Sequence, residues 1–397
     1  MELETLALSA RAGLLKPSPT LAITAKANAM KAAGEDVVNF GAGEPDFDTP
    51  EPIIEAAVDA LRGGFTKYTP SAGIKELKEA VAAKLLRENN VKVSPDQVVM
   101  SCGAKQSVYQ TMQVLLDPGD EVILIAPYWM TYAEQIRLAG GVPKVVKAPA
   151  ENGFVPSLDQ LKEAVGPRTK AILINSPSNP TGAILPRGTL KEIASLALRH
   201  NLWIVTDEIY ERLIYGGESH TSLASLSAEV AERTITIGGC SKSYSMTGWR
   251  IGFAAAPLPV AKALSNLQDQ ITSNPTSFAQ KGATVAFNLP AEAVEAMRAE
   301  FEARRDLISR LLGDIPGVKM PMPKGAFYAF PDVTAYLGGR IATDLDLAGY
   351  LLEEAKVAVI PGTVFEGEGH IRLTYACSRA DIERGVGRIA EALSKLT

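Results

Sequence analysis

Lys242 is the residue of this chain best placed for covalent chemistry. It sits between Ser241 and Ser243, just after the apolar run Thr234-Ile235-Thr236-Ile237 and the pair Gly238-Gly239; eight positions on, Arg250 follows an indole and precedes further apolar residues. A strand ending in glycines and serines delivers its next side chain to the rim of a sheet, where ligands bind in open α/β folds. An amine attacks an aldehyde only when burial or neighbouring cations keep it uncharged part of the time. Small neighbours leave room beside it for a flat ring, and an arginine, a rigid fork of donors, suits a phosphate dianion. A lysine and an arginine at this separation, flanked by hydroxyls, fit a phosphorylated aldehyde held through an imine, which is pyridoxal 5'-phosphate. Ser-Lys-Ser alone would read as a surface loop; the longer string 238–252 carries the chemistry.

The stretch Ser241-Lys242-Ser243-Tyr244-Ser245-Met246-Thr247-Gly248-Trp249-Arg250-Ile251-Gly252 resembles the pyridoxal-phosphate attachment segment of class I/II aminotransferases. The wider sequence looks like the bacterial aspartate/prephenate branch of that family. Asn179-Pro180-Thr181-Gly182, Asp207-Glu208-Ile209-Tyr210 and Arg372 carry the likeness further, and it covers almost the whole chain. It implies a fold type I α/β protein and a ping-pong transamination, with L-aspartate as donor, 2-oxoglutarate as acceptor, and glutamate or prephenate as further substrates. Transamination of aromatic amino acids or kynurenine, or a β- or γ-elimination, would use the same fold.

Further residues gain roles within the pyridoxal reading. Asp207, after an apolar strand, can hold the ring nitrogen protonated, because a carboxylate stabilises a nearby cation; the alternative is a helix cap. Asn179 and Tyr210 can donate to the ring's phenolate oxygen, although Asn-Pro-Thr-Gly could be only a turn. Gly103-Ala104-Lys105 at a helix start offers backbone N–H groups to the phosphate, completing a cup with Ser241 and Arg250. Trp129 gives a flat face for the ring to stack on, or is core. Arg372, a charge inside Ile371-Arg372-Leu373-Thr374-Tyr375, needs an anion. A substrate α-carboxylate, assisted by the Gly43 backbone, fits it, as would a structural salt bridge.

Other roles come from the resemblance alone. It implies that Tyr68 reaches the phosphate of a second subunit, making the protein a homodimer with shared sites, and that the Asn179–Pro180 peptide is cis. It places Ser18, Thr20 and Lys105, with Lys16 in addition, at the distal carboxylate of a dicarboxylic substrate. No residue matches the partner-subunit arginine that reads this group in animal-type aspartate enzymes, so Lys105 carries the expectation of acidic specificity.

These residues have to be positioned by a common scaffold. Apolar runs at 98–100, 121–125, 143–146, 171–174, 202–205 and 234–237 mostly alternate with helical patterns, which implies a mainly parallel central sheet covered by helices on both faces. Polar or glycine-bearing clusters follow five of these runs, at 101–105, 127–129, 175–182, 207–210 and 238–242. Carboxyl ends of parallel strands share one edge, so the clusters should converge on one crevice. From 291 a long charged helix leads into short strands and helices, a smaller α/β domain. The division expected is 1–48 as an N-terminal segment joining the small domain, 49–290 as the large cofactor-binding domain, and 291–397 as the small C-terminal domain.

Composition narrows the function classes. The chain has 397 residues, 46% hydrophobic and 21% charged, with a net charge of −5, so it lacks the concentrated basic face that nucleic-acid binding needs. Cys102, Cys240 and Cys377 are far apart and odd in number, arguing for a reducing compartment. His200, His220 and His370 form no ligand spacing with them, so no metal is expected. Without a basic signal head or a membrane-length apolar run, the protein is expected in the cytoplasm. A DNA-binding regulator on this fold would carry an added domain, and a nicotinamide dehydrogenase would show G-x-G-x-x-G after its first strand.

Overall fold

The computed structural model describes residues 8–14 and 19–396. After β1 (Val38–Asn39), the chain builds its central sheet from β2 (Val98–Ser101), β3 (Glu121–Ala126), β4 (Val142–Lys147), β5 (Thr169–Asn175), β6 (Trp203–Asp207), β7 (Thr234–Gly239) and β8 (Gly252–Ala255). Their order across the sheet is β2-β8-β7-β6-β5-β3-β4. The pairings among β3 to β7 are parallel, while β8 runs against both β2 and β7. The sequence pattern yields the parallel strands but not β8, whose Gly-Phe-Ala-Ala is too short and too rich in small residues to stand out.

Alternation along the strands explains the layers, since successive side chains point to opposite faces. Val122 and Leu124 of β3 pack with Val108 and Met112 of the helix Ala104–Leu115, whereas Ile123 packs with Ile193 and Leu196 of the helix Arg187–His200. Both faces of β5 and β6 are likewise covered, so their interiors are mostly apolar, with Thr206 the polar exception, as doubly buried strands require.

Two smaller sheets stand apart. β1 pairs in parallel with β10 (Val357–Ala358), and β11 (Ile360–Pro361), β12 (Ile371–Thr374) and β9 (Tyr328–Ala329) form an antiparallel set in the order β11-β12-β9. The long helix Glu295–Gly313 and the C-terminal helix Arg379–Ser394 pack on this region. Helix Pro19–Ala32 leads into β1 and buries Ala27 against Ala358 and Leu352. The N-terminal part of the chain therefore closes on its C-terminal part, and Gly41 and Gly43 follow β1 directly. Among the described residues no helix is long and apolar enough to cross a membrane.

Candidate active site

The expected convergence at the carboxyl edge of the sheet is present. β6 ends in Asp207, which is buried. Its Oδ2 accepts from Tyr132 Oη at 2.8 Å and its Oδ1 from the Ile209 amide at 3.1 Å. Asn175, at the end of β5, donates to the Asp207 carbonyl at 3.0 Å and accepts from the Asn179 amide at 2.9 Å, tying the 175–182 loop to the end of β6. The Asn179–Pro180 peptide is cis.

β7 and β8 are joined by the 240–251 loop, and Gly239 pairs with Gly252 at its base. Within it Lys242 lies in the cleft, partly accessible, with Nζ donating to the Gly43 carbonyl at 2.5 Å. Arg250 donates to the carbonyls of Thr247 at 3.0 Å and Cys102 at 3.3 Å, bridging its own loop to the one after β2. Thr247 in turn donates to Glu44 at 2.7 Å.

Arg372 in β12 is buried. Its Nη1 donates to Asn179 Oδ1 at 3.1 Å and its Nη2 to the Gly41 carbonyl at 2.8 Å; the guanidinium lies 4.5 Å from the Tyr328 ring centroid and 5.2 Å from that of Phe365. Nε has no partner, and no carboxylate pairs with this arginine among the described residues. With its Oδ1 engaged, Asn179 has its amide nitrogen as the donor for a ligand. Tyr210 Oη lies 3.0 Å from Tyr328 Oη. Lys105 Nζ sits 4.8 Å from the Trp129 ring centroid, and Trp129 meets Tyr132 edge-on at 5.3 Å.

Burial sets the protonation states. It pushes Asp207 up to about 6, against the bonds from Tyr132 and Ile209 that favour its charge. It brings Lys242 down to about 8, with Arg250 and Arg372 adding to the effect and Glu44 opposing it. Lys105 is lowered by burial and by Arg250. Tyr132 and Tyr210 are held well above the usual phenol range by burial, so both act as donors. The cleft thus holds a poorly solvated amine, a carboxyl that gains from a cation, and an arginine that gains from an anion.

The local geometry fits pyridoxal 5'-phosphate. Gly103, at φ 91°, caps the helix Ala104–Leu115, and a Cβ there would collide with Arg250; one on Gly252 would collide with the Ala104 backbone. Arg250 and the N–H-lined helix start are therefore pressed together, as a phosphate cup requires. Ser241 is buried next to Lys242. At the other end of the constellation lies Asp207, so the cationic and anionic ends match a ligand with a phosphate on one side and a protonatable nitrogen on the other.

Known proteins answer to this arrangement. The family profile described as aminotransferase class I and II matches residues 35–389. The chain belongs to the class I and II aminotransferases. This aminotransferase is 49% identical over 384 residues to an aspartate aminotransferase of Geobacillus stearothermophilus, a match covering 96% of this chain and 98% of that one. It is 44% identical over 392 residues to an aspartate/prephenate aminotransferase of Thermus thermophilus, covering 98% and 99%. A solved structure of Thermus thermophilus aspartate aminotransferase with maleate superposes with a TM-score of 0.92 at 43% identity, covering 98% of this chain and all of that one.

Of the residues singled out in the sequence, the structure brings Gly43, Gly103, Ala104, Lys105, Trp129, Asn179, Asp207, Tyr210, Ser241, Lys242, Arg250 and Arg372 to the cleft or its walls. Tyr68 is not among them, being 91% exposed. Ser18, Lys16 and the Thr20 side chain lie outside the described residues. Sequence reasoning missed Tyr132 and Tyr328. Tyr132 stands one helical turn beyond Trp129, a spacing that could have flagged it; Tyr328 lies in an alternating strand with only its neighbours to mark it.

Raising the folded-state value of an acid favours its protonated form, so this part of the stability is complete below Asp207's unfolded value and is lost as pH rises through about 6. Asp207→Asn should therefore stabilise the cofactor-free aminotransferase at pH 7 by an amount on the order of 3 kcal/mol. It should also flatten the stability profile between about pH 4 and 6. Urea unfolding across that range is the measurement, and a native profile without this slope would refute the burial of a charge at Asp207.

Proposed function

We propose that this aminotransferase uses pyridoxal 5'-phosphate to transfer the amino group of L-aspartate reversibly to 2-oxoglutarate in a ping-pong cycle, with glutamate and prephenate as further substrates. The observation that carries the proposal is the buried, anion-less Arg372 in the same cleft as the desolvated Lys242. One is a ready receptor for an α-carboxylate and the other a base for an α-amino acid. The relatives named for aspartate, and the Thermus structure holding the dicarboxylate maleate, favour an acidic substrate.

The cofactor, when bound, supplies an electron sink that makes the substrate's Cα acidic. The chain supplies the rest. Lys242 Nζ would hold the cofactor and would take the proton from the substrate's Cα; a value near 8 keeps a share of it in the basic form at neutral pH. Asp207 keeps a proton on the ring nitrogen, with Tyr132 fixing the carboxylate's orientation. Tyr210 and the Asn179 side-chain Nδ2 would donate to the phenolate oxygen, while Ser241, Arg250 and the amides of Gly103, Ala104 and Lys105 would hold the phosphate. Trp129 would give the ring a flat face to stack on. Arg372 forks onto the α-carboxylate beside Gly43, and Lys105, with Ser18 and Thr20, reads the distal carboxylate.

We further propose a cytoplasmic homodimer, with residues 49–290 as its large domain, 291–397 as its small one and 1–48 joined to the latter. Tyr68, exposed in the single chain, would reach the partner's phosphate. The groove lined by Ala56, Ala60, Phe65, Lys281, Thr284 and Val285 would be covered by the second copy.

Borohydride reduction after loading with pyridoxal phosphate should fix the vitamer on Lys242. Lys242→Ala should take no label and lose turnover; a labelled variant ends the assignment. Arg372→Ala should raise KM for every amino acid by about a hundredfold, the scale of a lost charged hydrogen-bonded pair. Lys105→Ala should penalise aspartate and glutamate far more than alanine, and equal penalties would remove Lys105 from specificity. Mixed dimers of Lys242→Ala with Tyr68→Ala chains should regain activity that neither parent has, because one of the two sites is then intact; no gain on mixing rules out sharing of Tyr68.

A further inference from the structure

Asp207 and Tyr210 face the cleft, but the residues around them turn the other way. Glu208, 2% exposed, accepts from Thr206 Oγ1 at 3.1 Å and Ser222 Oγ at 3.0 Å and lies 2.9 Å from His220 Nε2. Glu211 is bonded by the buried Lys84 and accepts from Asn89 Nδ2 at 2.6 Å; Lys84 also donates to Asn89 Oδ1 at 2.8 Å. Arg212 clasps Glu88 through Nη2 at 2.6 Å and Nε at 3.1 Å, and its guanidinium lies 5.0 Å from the ring centroid of Tyr244, two residues past Lys242. A partly buried ionic layer therefore backs both the turn that carries Asp207 and Tyr210 and the loop that carries Lys242.

Glu208, Glu211 and His220 bring ligand atoms within 4.8 Å of one another, as metal ligands would. The Lys84 ammonium already sits on Glu211, however, so a cation is built into the cluster. The charge that can change is on His220. Its Nδ1 has no hydrogen-bond partner among the described residues, and its Nε2 is held by Glu208.

We propose that His220, as a cation paired with Glu208, is a positioning residue for transamination: the ion pair fixes the turn after β6 that sets Asp207 and Tyr210 against the cofactor, and loss of its proton loosens that turn. This rests on the pyridoxal-phosphate reading above. Burial opposes the charge on the imidazole, but Glu208 and Glu211 outweigh it and hold the ring's proton above the ordinary histidine range, with Lys84 acting against them. A base whose folded-state value is raised loses its contribution as pH rises through that value. The effect is thus an alkaline limb in kcat. KM for the amino acid, set by Arg372 on another element, is not touched.

The test compares the native holoenzyme with His220→Gln, which keeps a donor near the Nε2 position but no charge. The chain has three histidines, His200, His220 and His370, so ring-proton NMR can follow each one. One signal should titrate above the ordinary range in the native protein and be missing from His220→Gln. In that variant kcat should fall about tenfold, the scale of one lost coupled interaction, with KM and the fraction of borohydride-labelled sites unchanged and the alkaline limb gone. Native kcat with the limb intact overturns the proposal, as does a loss of kcat that only matches a loss of labelled sites. Should His220→Gln not fold, Ser222→Ala removes one donor from Glu208 and should move the histidine titration and the kcat limb upward together; if either stays put, the proposal fails. A native protein that takes no label at Lys242 would instead defeat the pyridoxal-phosphate reading, while the ring titration would still report on the ion pair.

Discussion

The constraint on which the structure depends is that charge is kept out of water at the carboxyl edge of the central sheet without a salt-bridge partner among the described residues. Arg372 is enclosed by Asn179, the Gly41 carbonyl and two aromatic rings, none of which neutralises it. Asp207 is enclosed by donors that orient it but bring no cation. Burying ions in this way is costly. The two doubly covered layers of the sheet, with their continuous apolar packing, provide the stability that offsets it.

That arrangement joins the two ends of the chain. Arg372 comes from β12, Gly41 and Gly43 from the segment after β1, and Asn179 from the loop after β5. The pairing of β1 with β10, together with Asp46 bound to Arg304 at 2.7 Å and Phe47 packed edge-on against Phe301 at 5.3 Å, holds the segment after β1 against the C-terminal region. The site is therefore complete only when residues from the beginning, middle and end of the chain are in register. Behind it, the layer built on Glu208, Glu211 and Lys84 repeats the theme with the charges paired.

What could be read from the sequence was whatever is local. The strands of the parallel sheet announce themselves because burial on both faces forces runs such as Ile172, Leu173 and Ile174, and the polar residues that break those runs are the ones at the rim. Asp207, Asn179 and Lys242 were found in this way. Tyr132 and Tyr328 were not, because the bonds that give them meaning join residues 75 and 118 positions apart. β8 was missed because four residues, three of them glycine or alanine, carry no period, although without it Arg250 could not return to the rim. The surroundings of Arg372 explain why a charge inside an apolar strand was a sound signal: among the described residues the protein provides it no salt bridge.

The reversal of β8 has one more consequence. Since Gly239 and Gly252 face each other across the sheet, residues 240–251 form a hairpin-like arch anchored at both feet, and Lys242 and Arg250 are its two working points. Their separation is set by the arch together with the bonds of Lys242 to the Gly43 carbonyl and of Arg250 to the Cys102 carbonyl. Such a loop acts as a molecular gauge: with both feet pinned in paired strands, an inserted or deleted residue would change the span between its two working points.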